Sequence, residues 1–102
     1  MTHASLADLY RNRRKWDEAL DHYFLALDIQ NEIGDIYGGP NTLYCIAATY
    51  REQGDLDEAI ETLRGVVELE RSLESPDLEK HLALLAEVES EAEARKADRD
   101  AF

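Results

Sequence analysis

The sequence predicts an all-α chain built from stacked helix hairpins, and three observations predict it. Two stretches repeat 40 residues apart. Asp17-Glu18-Ala19-Leu20 returns as Asp57-Glu58-Ala59-Ile60, and Leu6-Ala7-x-x-Tyr10-Arg11 returns as Ile46-Ala47-x-x-Tyr50-Arg51, with Thr2 matched by Thr42. Self-similarity at such a period marks an array of helical units, each covering its neighbour's apolar face. The long stretches between the glycines are rich in Ala, Leu, Glu, Asp and Arg, which favour helix. Runs that alternate Val, Ile and Thr as a strand does are absent.

Five helices follow in order. The first runs from Thr2 to Arg13, with His3, Leu6, Ala7 and Tyr10 on one face at i, i+3, i+4 and i+7. Arg13-Arg14-Lys15 is the polar turn after it. The second runs from Trp16 to Ile33, its stripe made of Ala19, Leu20, Tyr23, Ala26, Leu27 and Ile33, and Gly34 stands where a left-handed cap belongs. Asp35-Ile36-Tyr37-Gly38-Gly39 is a loop. Pro40 suits the first turn of the third helix, because its missing N–H costs nothing there. Leu43, Ile46, Ala47 and Tyr50 then repeat the spacing of the first helix up to Gln53, and Gly54-Asp55 turns the chain.

The fourth helix runs from Leu56 to Leu73 with Ala59, Ile60, Leu63, Val66, Val67 and Leu69 expected inward. Gly65 within it costs about 1 kcal/mol against Ala, which suggests a close helix approach there. Ser75-Pro76-Asp77 opens the fifth helix, with Leu78, Leu82, Leu85 and Val88 as its apolar face. Beyond Val88 that face shrinks to alanines, and the last turns to Phe102 are expected in solvent. The whole chain, 1–102, is thus one domain: a first repeat over 2–34, a second over 36–73 and a closing helix over 77–96.

Charge narrows the function classes. The formal net charge is −12, and residues 52–93 hold 14 Asp and Glu against three Lys and Arg, or −11. Nucleic acid needs a basic face, so it is not expected as a ligand. An acidic surface also repels anionic membranes and favours basic partners, though charge runs on helices are ordinarily just solvated. No apolar run is long enough to span a bilayer. The first residues lack a basic-then-apolar leader pattern, and the single cysteine, Cys45, allows no internal disulfide. A cytoplasmic location is the expectation.

The small residues explain how the units stack. Ala7 and Ala47 lie in the first helices and Ala19 and Ala59 in the second. A methyl at a crossing brings helix axes near the short end of the roughly 8–10 Å range, and Tyr10 and Tyr50 fill the wedge beside it. With Trp16-Asp17-Glu18-Ala19…Tyr23…Ala26 in one copy and Gly54-Asp55-Leu56-Asp57-Glu58-Ala59…Leu63 in the other, the chain resembles the tetratricopeptide repeat family over residues 2–73. The usual period of that family is about 34 residues with a closing Pro. Here it is 40, with Asn31 and Arg71 where Pro would stand, as in a longer-helix variant; Arg14-Lys15 replaces the usual Gly-Asp in the first copy. The helix from 77 resembles the solvating helix that closes such arrays.

The resemblance implies a right-handed α-solenoid of two helix hairpins plus a C-terminal capping helix, and the role of holding a protein or peptide partner on its concave side. Carried over by position, that side is Ala4, Asp8, Arg11 and Asn12 in the first copy. In the second it is Asn41, Tyr44, Ala48, Arg51 and Glu52. The spacing agrees, because these residues lie opposite the packed stripe of each first helix. Tyr44 is the expected anchor, an aromatic with a polar tip, and Arg11 and Arg51 are placed to meet carboxylates. The clamp that some members use for C-terminal carboxylates needs Lys and Asn where this chain has Ala4, Asp8 and Cys45, so that specificity is not expected.

The sequence points away from catalysis. His3, His22 and His81 share no ligand spacing with Cys or carboxylate pairs, so no metal is expected; His3 is read as core-facing and the other two as helix-edge residues. Cys45, beside an apolar stripe and without a matched base, reads as buried and inert. The carboxylates are all read as surface groups, none desolvated as a general acid must be. Gly38-Gly39-Pro40 lacks a phosphate-loop pattern. No cofactor is expected. The alternative to a peptide-binding adaptor is self-association through the uncapped first repeat, or a place within a longer array, since about three repeats are wanted for stability.

Overall fold

The computed structural model describes residues 3–35 and 38–100, with side chains from Ser5 onward. The readings for Thr2, Ile36, Tyr37, Ala101 and Phe102, and for the side chains of His3 and Ala4, lie outside the described residues. Five helices appear and, among those residues, no strand: α1 (His3–Asn12), α2 (Trp16–Ile33), α3 (Gly38–Gln53), α4 (Leu56–Ser72) and α5 (Leu78–Asp100). Each helix packs on its neighbours in sequence, α2 on α1, α3 on α2, α4 on α3 and α5 on α4. The Cα trace measures 49 × 32 × 17 Å, so its thinnest dimension holds two helix layers. This all-α helical repeat is compatible with the solenoid the sequence predicts.

The turns follow from local chemistry. Gly34 closes α2 in the left-handed region at φ 74°, and the next N–H, of Asp35, donates to the Gln30 carbonyl at 2.8 Å. Gly54 plays the same part after α3 at φ 97°, with the Asp55 N–H on the Tyr50 carbonyl at 2.9 Å. The first copy makes an identical turn, with the Lys15 N–H on the Tyr10 carbonyl at 2.9 Å, but places Arg14 at φ 60°. A side chain there costs about 1–2 kcal/mol that glycine does not.

The α3 helix starts at Gly38, two residues before Pro40, because the Asp35 carboxylate accepts the Gly38 N–H at 2.9 Å and caps it. At the other end of the chain, α5 starts at Leu78, after Pro76. The Ser75 hydroxyl accepts the Asp77 N–H at 3.2 Å and holds the turn.

The alanines are where the crossings need them. Ala7, Ala19 and Ala59 are wholly buried and Ala47 nearly so. Two clusters form the core. Ala7, Ala19, Leu20, Tyr23 and Ile46 make one; Ala47, Leu56, Ala59, Ile60, Leu63, Val88 and Ala92 make the other. Adjacent residues Ile46 and Ala47 belong to different clusters, and Tyr50 packs against both. The α3 helix is therefore the shared wall that joins the repeats.

Several inward assignments are corrected. Ile33 is 72% exposed and Leu69 42% exposed, while Glu70 is buried. The inward face of α4 continues from Ala59, Leu63 and Val66 at i, i+4 and i+7 to position 70, so Leu69 falls beside it. On α5, Leu82 lies at the surface, and His81 takes the buried place with Val88 and Ala92. Gly65 has nothing within 4 Å of where a Cβ would stand, so no close helix approach requires it.

Candidate functional site

The first helices of the repeats, α1 and α3, share one flank with α5, and charged side chains span it in a ladder. The Arg11 Nε stands 3.9 Å from the Glu52 carboxylate, which joins α1 to α3. The next rung joins α3 to α5: Arg51 Nη2 lies 3.1 Å from Glu87 and 3.1 Å from Glu91, and its Nε–H donates to Glu91 at 3.2 Å. Arg11 and Arg51 are equivalent in the 40-residue period, and each reaches a carboxylate on the next helix of this flank, Glu52 on α3 for one and Glu87 and Glu91 on α5 for the other. Burial works to lower the Arg51 guanidinium, and the Glu87 and Glu91 carboxylates outweigh it, holding it above its ordinary value. Arg51 is thus part of an Arg-Glu-Glu group of net charge −1.

Between α3 and α5 runs a groove of about 370 Å³. Tyr44, Ala48, Arg51 and Glu52 line its α3 wall, Leu84, Val88 and Glu91 its α5 wall, and Ala47 and Leu63 its floor. Glu52 also borders a hollow of about 520 Å³ with Arg11, Asn12, Arg14 and Trp16. Apart from Ala4, whose side chain is not described, six of the eight residues expected at the partner face therefore surround two adjoining depressions.

The other two stand apart. Asn41 lines a separate recess of about 150 Å³ with Pro40, Ser75 and Pro76, over Glu70 and His81. The Asp8 carboxylate accepts a hydrogen bond from the buried Tyr23 phenol, which burial and then that carboxylate hold far above its ordinary value. The Cys45 thiol lies in the same neighbourhood and is pushed up by burial and by Asp8, so it is poorly disposed to act as a thiolate nucleophile.

Tyr44 is half-buried, and its ring stacks on His81 with centroids 4.8 Å apart. His81 is itself buried, and its Nδ1 lies 2.6 Å from the buried Glu70 carboxylate. This overturns two sequence readings, that His81 sits at a helix edge and that every carboxylate lies at the surface. His22 is half-buried beneath Tyr10, centroids 5.4 Å apart.

The period contained a signal for the Glu70–His81 contact. Gln30, forty residues before Glu70, accepts the Thr42 hydroxyl at 2.7 Å. Each second helix therefore carries, near its C-terminus, one inward polar residue that bonds the start of the next first helix. The residues that sequence reasoning missed, Leu84, Glu87, Val88 and Glu91, all belong to α5. Glu91 stands one period after Arg51, and extending the repeat into α5 would have found it.

Among the described residues no group of three His, Cys, Asp or Glu side chains is placed to hold a metal ion. No described helix is long and apolar enough to cross a membrane. No curated relative matches the chain. The family model of the Tetratricopeptide repeat matches it twice, at residues 2–37 and 42–77. Repeats of that family generally mediate protein–protein interaction and typically serve as non-catalytic scaffolds. The two matches begin 40 residues apart, in step with the alanine crossings and the arginine ladder, and together they cover most of the sequence: the chain belongs to the tetratricopeptide repeat family.

Proposed function

We propose that this chain is a protein-interaction module that holds an extended peptide or a partner helix along the flank of α1, α3 and α5. The groove lined by Tyr44, Ala48, Arg51, Glu52, Leu84 and Val88 is the observation that carries this reading. Its floor is apolar and small, its rim charged, and its walls are helices held by a buried core. A rigid receptor of this kind loses little conformational freedom when it binds. Asp8, Arg11, Asn12 and Asn41 extend the contact beyond the groove. The module works as an adaptor in the cytoplasm, in keeping with its single free thiol.

Affinity capture from the native cell with wild type, Tyr44→Ala and Arg51→Glu tests the reading. Arg51→Glu places a third carboxylate beside Glu87 and Glu91, so it removes the rung and sets the two walls of the groove against each other. Partner recovery falls for both variants while their helical circular dichroism stays that of wild type. Undiminished recovery with folded variants removes the groove from the account.

A further inference from the structure

The α2 helix carries an exposed apolar stripe bordered by carboxylates, with Ile33 at its end 72% exposed. On α2, Leu25, Ile29 and Ile33 follow at i, i+4 and i+8, with Leu25 46% and Ile29 43% exposed. Scattered exposed apolar residues need no explanation, but three in line on one helix form a stripe that costs free energy in water.

Charge selects the occupant. The α2 helix carries Asp17, Glu18, Asp21, Asp28 and Glu32 and no Lys or Arg. Glu18, Asp21, Asp28 and Glu32 are exposed and lie one helical step from the stripe. Two copies pressed together on this side would set these carboxylates against each other, on chains of −12 apiece. A partner with cations beside its apolar stripe meets attraction at every one of them. We propose that Leu25, Ile29 and Ile33 dock an amphipathic helix of another protein, its apolar stripe edged by Lys and Arg. The contact is helix against helix and is independent of the α3–α5 groove.

The test is fluorescence anisotropy with a labelled Leu/Lys peptide patterned at the helical period, and a scrambled peptide of the same composition. Wild type binds the patterned peptide and salt weakens the complex. Ile29→Ser/Ile33→Ser and, separately, Asp28→Lys/Glu32→Lys each weaken it by about tenfold or more, and Tyr44→Ala leaves it unchanged. All four substituted α2 positions are exposed, so melting curves stay close to wild type. Equal binding of the scrambled peptide, or undiminished binding by both α2 variants, overturns the proposal. A wild-type dimer in light scattering that Ile29→Ser/Ile33→Ser converts to monomer also overturns it, by showing a second copy as the occupant.

Discussion

His81 Nδ1 lies 2.6 Å from the Glu70 carboxylate, and both side chains are shut away from solvent. The contact fastens the start of α5 to the end of α4, and the Ser75 hydroxyl at 3.4 Å is the carboxylate's other side-chain partner. Removing one member of a buried hydrogen-bonded pair strands the other, which costs about 1–3 kcal/mol; replacing both by apolar groups is close to neutral. His81→Ala is therefore expected to lose about that much in urea unfolding. Glu70→Leu/His81→Leu is expected to recover most of it. A single variant as stable as wild type would show that the carboxylate finds water.

The alanine crossings give the sharpest packing prediction. Ala59 is wholly buried between α3 and α5. Ala59→Trp overpacks that crossing and destabilises the fold by about 3 kcal/mol or more, whereas Ala86→Trp, at an exposed position of α5, stays within about 0.5 kcal/mol. Thermal melts of the two variants check both. Equal melting temperatures would remove the alanines from the packing account.

How far the sequence disclosed this structure depends on what each residue had to decide. The alanine pairs, the tyrosine wedges and the Gly34 and Gly54 caps act within one hairpin, so local spacing revealed them and placed α2 within its observed bounds. Glu70 and His81 sit on different helices. Each by itself is a surface residue type, and only the docking of α5 on α4 makes them partners. Leu69 was the better hydrophobe but the wrong angular position. In the groove, the α3 wall of Tyr44, Ala48, Arg51 and Glu52 was legible because these residues lie opposite the packed stripe. The α5 wall was not, because the resemblance makes that helix the one that closes the array and assigns none of its residues to the concave side.

Arg14 holds φ 60° in a turn whose second copy uses glycine. Arg14→Gly relieves the Cβ strain and is expected to raise stability by about 1 kcal/mol. Gly54→Ala, at φ 97°, is expected to lower it by a similar amount, about 1 kcal/mol. Chemical denaturation of the pair checks the sign; a loss of stability in Arg14→Gly would mean the arginine makes compensating contacts.

Tyr23 makes stability depend on alkaline pH. Burial, then its hydrogen bond to Asp8, hold the phenol well above its ordinary value of 10.0. The unfolded chain ionises this group at about 10 and the native chain does not. A folded value raised in this way contributes stability that is whole below about pH 10 and is lost above it. Burial raises Tyr50 in the same direction. Wild type should therefore weaken from about pH 10 upward, and Tyr23→Phe less steeply, although Tyr23→Phe is weaker at neutral pH by about 1 kcal/mol. Unfolding curves at neutral and alkaline pH with parallel slopes for both proteins would contradict this.

The central claim is that the α1–α3–α5 flank grips another polypeptide, and site-specific photo-crosslinking in the native cell tests it most directly. A photoreactive side chain at Ala48, inside the groove, should capture a discrete protein adduct that Arg51→Glu abolishes. The same side chain at Glu61, on the exposed face of α4, should capture none. Adducts of equal yield at both positions, or none at Ala48, would contradict it.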